Sequence, residues 1–222
     1  MTKRSPSSEE RRSFLTRFQA GVTAAAALVI GVAAKAQEKT ATAPRFEPER
    51  HTQDDWMGQI PGKHRMVIDT FTVEGFGDAL LWAGNFLLAN RNDYGLKNED
   101  LAVIIVTRHF STGHGYNNDM WAKYGATLAA RAPSADGPAK EPPRANPSGA
   151  ALASLTSQGV RFAVCSMATR RLAGMIARAT GGTADAIFSE LGANLVSNAR
   201  LVPAGIVAVN RAQEHGYTLV TA

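Results

Sequence analysis

Apolar residues change their spacing several times along this chain, and each change predicts an element. RMVIDTF, from Arg65, is short, apolar and β-branched, which predicts a first strand. GFGDALLWAGNFLLANRNDYG follows, with Ala79, Leu80, Ala83, Phe86 and Leu87 at helical spacing, so an amphipathic helix is expected to end near Asn90–Asn92. LAVIIVTRH, from Leu101, is the strongest strand signal, and its unbroken apolar run fits a central parallel strand covered on both faces. WAKYGATLAARA predicts a helix, and ALASLTSQG another that closes at Gly159. VRFAVC reads as a third strand, SMATRRLAGMIARATGG and TADAIFSELGAN as two helices, and LVSN as a fourth strand. VPAGIVAVNRAQEHG has Pro near its start and Gly at its end, as a helix does, and YTLVT reads as a last strand.

Strands that alternate with helices from Arg65 onward predict an α/β fold. The expected architecture is a single three-layer sandwich with a mostly parallel sheet of about five strands. Such sheets place ligands beyond the carboxyl ends of their strands. Two segments are expected there, Thr107–Asn118 and Cys165–Arg171. Residues 37–64 carry Pro44, Pro48 and Pro61 and predict an extended polar arm packed by Phe46, Trp56 and Met57. Residues 133–149 are rich in Pro, Gly and Ser and predict a surface insertion.

Charge changes the picture at the start of the chain. Residues 1–19 are polar and basic, Ala20–Ala34 is an apolar run of small residues, and Ala34-Lys35-Ala36 is a small-x-small site before Gln37. That order is the order of an export signal over residues 1–36, and RRSFL at Arg11–Leu15 resembles the twin-arginine signal, an address read by a receptor. An uncleaved anchor is the alternative. The expected location is the periplasm, reached in folded form, with no stable membrane anchor after processing. Without residues 1–36 the chain keeps 18 Lys+Arg and 17 Asp+Glu, so its basic balance belongs mostly to the signal and no nucleic-acid partner is expected.

The candidate chemistry centres on Cys165, the one cysteine of the chain. A thiol at the start of a helix faces backbone N–H groups, which together with Arg170 and Arg171 favour a thiolate. A thiolate can take a sulfane sulfur as a persulfide and pass it on. With no second cysteine, the next thiol belongs to a partner or a small sulfur-containing ligand. The plain alternatives are a small buried hydrophobe and a solvated arginine face. His109 and His114 lie in the loop RHFSTGHGYNNDMWAKYG and are candidates to act as a base near the thiol. Together with Cys165, and Asp119 or Met120, they could instead hold copper or zinc, although their spacing matches no standard zinc pattern. Trp121, Tyr124, Met167 and Met175 are expected to pack, and Asn117 and Asn118 to cap the helix that follows. Gly75-Phe76-Gly77 lacks the rest of a dinucleotide fingerprint, so no cofactor is expected.

GVRFAVC at Gly159–Cys165, Pro203-Ala204-Gly205 and Glu214-His215-Gly216-Tyr217 resemble the C-terminal half of the DsrE-like sulfur-relay family. The resemblance spans about Arg65–Val220 as a fold, with its specific motifs mainly in the last third. It implies a DsrE-like α/β domain over 65–222, a sulfur-carrier role for Cys165 and a homo-oligomer. The alternative is a non-catalytic module on the same fold that binds a small ligand or a protein.

Overall fold

A computed structural model describes residues 46–131 and 141–222. The expected signal at 1–36, the arm up to residue 45 and insertion residues 133–140 lie outside the described residues. The compact unit considered below runs from Pro48 to Ala222.

Five strands form one parallel sheet: β1 (His64–Thr70), β2 (Leu101–Thr107), β3 (Arg161–Cys165), β4 (Ala199–Val202) and β5 (Thr218–Thr221). Their order is β4-β3-β2-β1-β5. Every residue of β2 is buried, as its apolar run requires for a strand in the middle of the sheet. Seven α-helices accompany the strands among the described residues: α1 (Asp55–Gln59), α2 (Val73–Tyr94), α3 (Asn118–Arg131), α4 (Gly149–Ser157), α5 (Ser166–Thr180), α6 (Ala184–Ala193) and α7 (Gly205–Glu214). The protein is a three-layer α/β sandwich.

The two-residue period of the strands sorts the core into layers. Met66, Ile68, Val103, Ile105 and Phe162 pack with Phe76, Leu80 and Leu87 of α2 and Leu152 and Leu155 of α4. Val67, Ile104, Val106, Ala163 and Val202 face the other way, onto Met57 and Ile60 of the arm and Ala208, Val209 and Ala212 of α7. A third cluster joins Val164 to Tyr116, Trp121 and Leu128 on the α3 side and to Leu172, Ile176, Ile187 and Leu191 of α5 and α6.

Four expectations change in the structure. The fourth strand is Ala199–Val202, not LVSN, because Asn198 turns the chain at φ 60° and Leu195 bridges Tyr116 in antiparallel sense. The arm is not wholly extended. It winds into a 3-10 turn at Thr52–Asp54 and then α1, while Phe46 stays exposed. Arg65 holds it there, its guanidinium donating to the carbonyls of Met57 at 2.9 Å, Gly58 at 3.3 Å, Ile60 at 2.8 Å and Gly62 at 3.0 Å. The second half of the insertion is structural, since buried Asn146 donates to the carbonyls of His114 at 2.9 Å and Tyr116 at 2.8 Å. Met167 is 67% exposed and fills no core.

α2 starts on a Thr72 cap whose side chain accepts from Gly75 N–H at 2.9 Å, and stops at Gly95 in the left-handed region. A side-chain carbon on Gly75 would come within 2.5 Å of the Ala222 carbonyl carbon, so the GFG segment packs on the last strand. Of the two expected caps of α3, Asn117 serves, its Oδ1 accepting from Met120 N–H at 3.2 Å, whereas Asn118 opens the helix and its Oδ1 accepts from Asn146 N–H at 2.9 Å.

Candidate functional site

The carboxyl ends of β1, β2 and β3 form a crest that carries most of the expected site residues. Cys165 is the last residue of β3 and the N-cap of α5, and its side chain does not cap the helix. Its carbonyl accepts from Thr169 Oγ1 at 2.9 Å, and Thr169 in turn accepts from the Tyr116 hydroxyl at 2.8 Å. Burial raises the Tyr116 phenol well above its ordinary range, so it stays a proton donor in this chain of bonds. Cys165 is only 6% exposed. Little more than an edge of the thiol side chain meets solvent, which favours the small-hydrophobe role over an open nucleophile.

Beside it stands a pair that the sequence reading missed. Asp69 is a buried carboxylate one residue before the end of β1, and Arg108 follows β2. Arg108 Nε and Nη2 each donate to one oxygen of Asp69 at 2.7 Å, a bidentate fork. The hydrogen bond to Asp69 holds the guanidinium above its ordinary range despite partial burial. The Arg108 N–H donates to Ser111 Oγ at 3.0 Å, which fixes where the loop leaves the strand. Glycine is required at position 205, where a side-chain carbon would fall 2.7 Å from Cβ of Arg108. The start of α7 therefore lies against the stem of Arg108.

His109 takes a left-handed backbone conformation at φ 57°, uncommon for a residue with a side chain. Its ring stacks on Phe71 at 4.3 Å and meets Phe110 edge-on at 4.2 Å. Arg108 lies over the other aromatic contact of this group, 5.2 Å from the Phe71 ring centre, and Arg131 lies 4.3 Å from that of Phe110. Desolvation lowers the His109 pKa first, and the charges of Arg131, Arg171 and Arg108 lower it further. Arg131 is also lowered, by burial and then by Arg171. These couplings set a neutral His109 ring among the cations Arg108, Arg131 and Arg171. Among the described residues only Arg108 of the four has a carboxylate within ion-pair distance. Phe71, under the Arg108 guanidinium, and Met167, Ile206 and Val207, next to Cys165 and Gly205 in sequence, add exposed apolar surface.

Two expected residues lie elsewhere. Arg170 turns to α6, with its guanidinium carbon 3.9 Å from the Phe188 ring centre. His114 is buried in the core, stacked on Phe76 at 4.8 Å, with Trp121 at 5.9 Å and Nδ1 3.1 Å from Ser148 Oγ. Its surroundings are packing partners, which leaves it badly placed as a base for Cys165. Among the described residues no three His, Cys, Asp or Glu side chains come together as a metal site. Asp119 is exposed at the start of α3, and Met120 is buried in the α3 core.

Burial pushes the His114 pKa down to about 4 from the ordinary 6.5. The folded protein thus keeps the ring neutral while an unfolded chain takes up a proton. Stability from this site is whole above about pH 6.5, falls as pH drops toward 4, and levels off below 4, where both states are charged. The full span is worth roughly 3 kcal/mol. His114→Phe is expected to flatten the pH dependence of urea unfolding between these limits, and a variant with an unchanged slope would assign the effect to another group.

The fold and crest define a parallel α/β domain with a cationic, partly apolar carboxyl edge. No family model matches the chain, and neither does any curated protein. Among solved structures it is similar to a protein of unknown function, MTH1491 from Methanobacterium thermoautotrophicum, at 18% identity and a TM-score of 0.40, over 72% of this chain and 100% of that one. No described helix is long and apolar enough to cross a membrane.

Proposed function

We propose that this protein is an exported, DsrE-like binding module that takes a small anion at the crest. The observation that carries this reading is the gathering of Arg131 and Arg171 around His109, two cations without an ion-pair partner among the described residues, beside Arg108, whose charge Asp69 offsets. Like charges held together cost free energy unless an anion offsets them. A carboxyl edge is where open α/β sheets present ligands, and Arg guanidinium groups suit oxyanions. In this reading Cys165 sits beneath the ligand as packing. Calorimetry with thiosulfate and sulfate tests it: at least one binds, and Arg171→Gln weakens that binding about tenfold while Cys165→Ser leaves it unchanged. No heat from either anion at millimolar concentration would reject it.

A second reading, sulfane-sulfur carriage, is favoured by the place of Cys165 at an α5 N-terminus without a side-chain cap. The thiolate would attack a terminal sulfur of an inorganic polysulfide. One sulfur–sulfur bond breaks, a shorter polysulfide anion leaves, and the chain keeps a persulfide. Intact mass after polysulfide treatment then rises by about 32 Da, and the gain disappears in Cys165→Ser. An unchanged mass leaves the binding module as the reading to keep.

A further inference from the structure

At the amino edge of the sheet, the far end of β3 from Cys165, a cleft of about 350 Å³ opens between the arm and the starts of β3 and β4. A five-residue strand puts the two ends on the order of 13 Å apart, so this is not the crest. Trp56, Gln59, Ile60 and Pro61 line it from the arm, and Arg161 and Arg200 from the strands. Arg200 pairs in register with Ala163, two residues beyond Arg161, so both arginines stand on the same sheet face as diagonal neighbours.

The cleft is rich in donors and poor in acceptors. Arg161 Nη1 donates to Asn198 Oδ1 at 2.9 Å, and Arg200 lies 5.2 Å from the Trp56 ring centre. Neither guanidinium has a carboxylate within ion-pair distance among the described residues, and no carboxylate lines the cleft. In the same wall, Trp56 Nε1 is a buried donor without a partner. Ile60, Pro61 and the indole supply a flat apolar side. The volume lies at the lower end of the range for small organic ligands and is far more than an inorganic anion fills.

We infer that this cleft binds a small organic carboxylate with a flat apolar body, its carboxylate held by Arg161 and Arg200 and its body laid against Trp56, Ile60 and Pro61. Two forked guanidinium groups match a carboxylate in geometry and charge, and the apolar side removes a hydrophobic ring from water. The site is separate from the anion site proposed at the crest and requires nothing of Cys165.

Benzoate is the probe, with benzyl alcohol and inorganic phosphate as comparators, added to the full chain. Calorimetry is expected to give a benzoate Kd on the order of 1 mM or tighter. In amide and indole NMR spectra the Trp56 indole signal moves with benzoate, and a Trp56→Phe variant assigns that signal. Arg200→Gln weakens binding at least about tenfold without shifting the thermal midpoint, because Arg200 is an exposed edge-strand residue. Arg161→Gln is the second variant and has the same effect, whereas Arg171→Gln has none. Benzyl alcohol, lacking the charge, does not bind. Failure of benzoate to move the Trp56 signal at about 10 mM overturns the inference. So does wild-type benzoate affinity in both arginine variants, or phosphate binding as tight as benzoate.

Discussion

Asp69→Ala lowers the unfolding free energy by about 3 kcal/mol, the largest loss expected from one crest side chain. The carboxylate is 7% exposed and takes both arms of the Arg108 fork, so its removal leaves a partly buried guanidinium with no acceptor. Solvent reaches a quarter of the Arg108 side chain, which keeps the cost at the lower end for a broken buried pair. The double variant Asp69→Ala/Arg108→Met removes the stranded charge and recovers most of the loss. Urea unfolding of wild type, both single variants and the double variant completes the cycle. A single variant within about 0.5 kcal/mol of wild type would mean that the pair holds nothing together.

The second large effect is expected at Arg65. One side chain gathers four carbonyls of the arm, three of these bonds partly buried, and of the four the Met57 carbonyl alone has a second side-chain donor among the described residues, the Tyr217 hydroxyl. Arg65→Ala is expected to cost about 3 kcal/mol and to free the segment around α1 from the sheet. Limited proteolysis read by mass spectrometry then finds a new cut between residues 50 and 62 well before the core is digested. Arg65→Lys keeps the charge but not the fork, and recovers only a minor part of the protection. An arm equally resistant in all three proteins would show that Met57 and Ile60 packing and the Tyr217 and Arg50 hydrogen bonds hold it without Arg65. Since Trp56 and Gln59 line the amino-edge cleft, benzoate binding is expected to fall together with arm protection.

The strands were legible because their apolar periods are strong and short. LAVIIVT could only be a buried strand, and VRFAVC could be read as the third strand from the helix pattern that follows, while its place beside β2 came only from the structure. LVSN misled for a local reason. It has β-forming residues, but Asn198 takes a left-handed turn and donates to the carbonyls of Thr156 and Val160, which delays pairing to the more polar ARLV. At the site, Cys165, His109 and Arg171 were placed at the carboxyl edge by the alternation of strands and helices alone. Asp69 and Arg108 were missed because their meaning depends on register: 39 residues apart, they become partners only when β1 and β2 align Thr70 with Thr107. A carboxylate near the end of one apolar strand and an arginine just after the next was the available signal. His114 was misjudged from its glycine-flanked setting, which reads as an open loop although the 3-10 turn carries its ring beneath α2 and α3.

The way the arm and β1 meet the segment Glu214–Thr221 has a consequence for synthesis. The Tyr217 hydroxyl donates to the Met57 carbonyl at 2.8 Å, Arg50 donates to the Glu214 carbonyl at 3.0 Å, and the outer side of β1 pairs only with β5. Tyr217 and Glu214 are made 160 and 164 residues after the arm residues they hold. Until β5 is made, β1 has one open edge and the arm lacks these two ties, so closure waits for that segment and then engages both at once. A nascent chain stalled between β4 and Tyr217 would carry four of the five strands and still leave Met57 and Val67 without their Tyr217 neighbour.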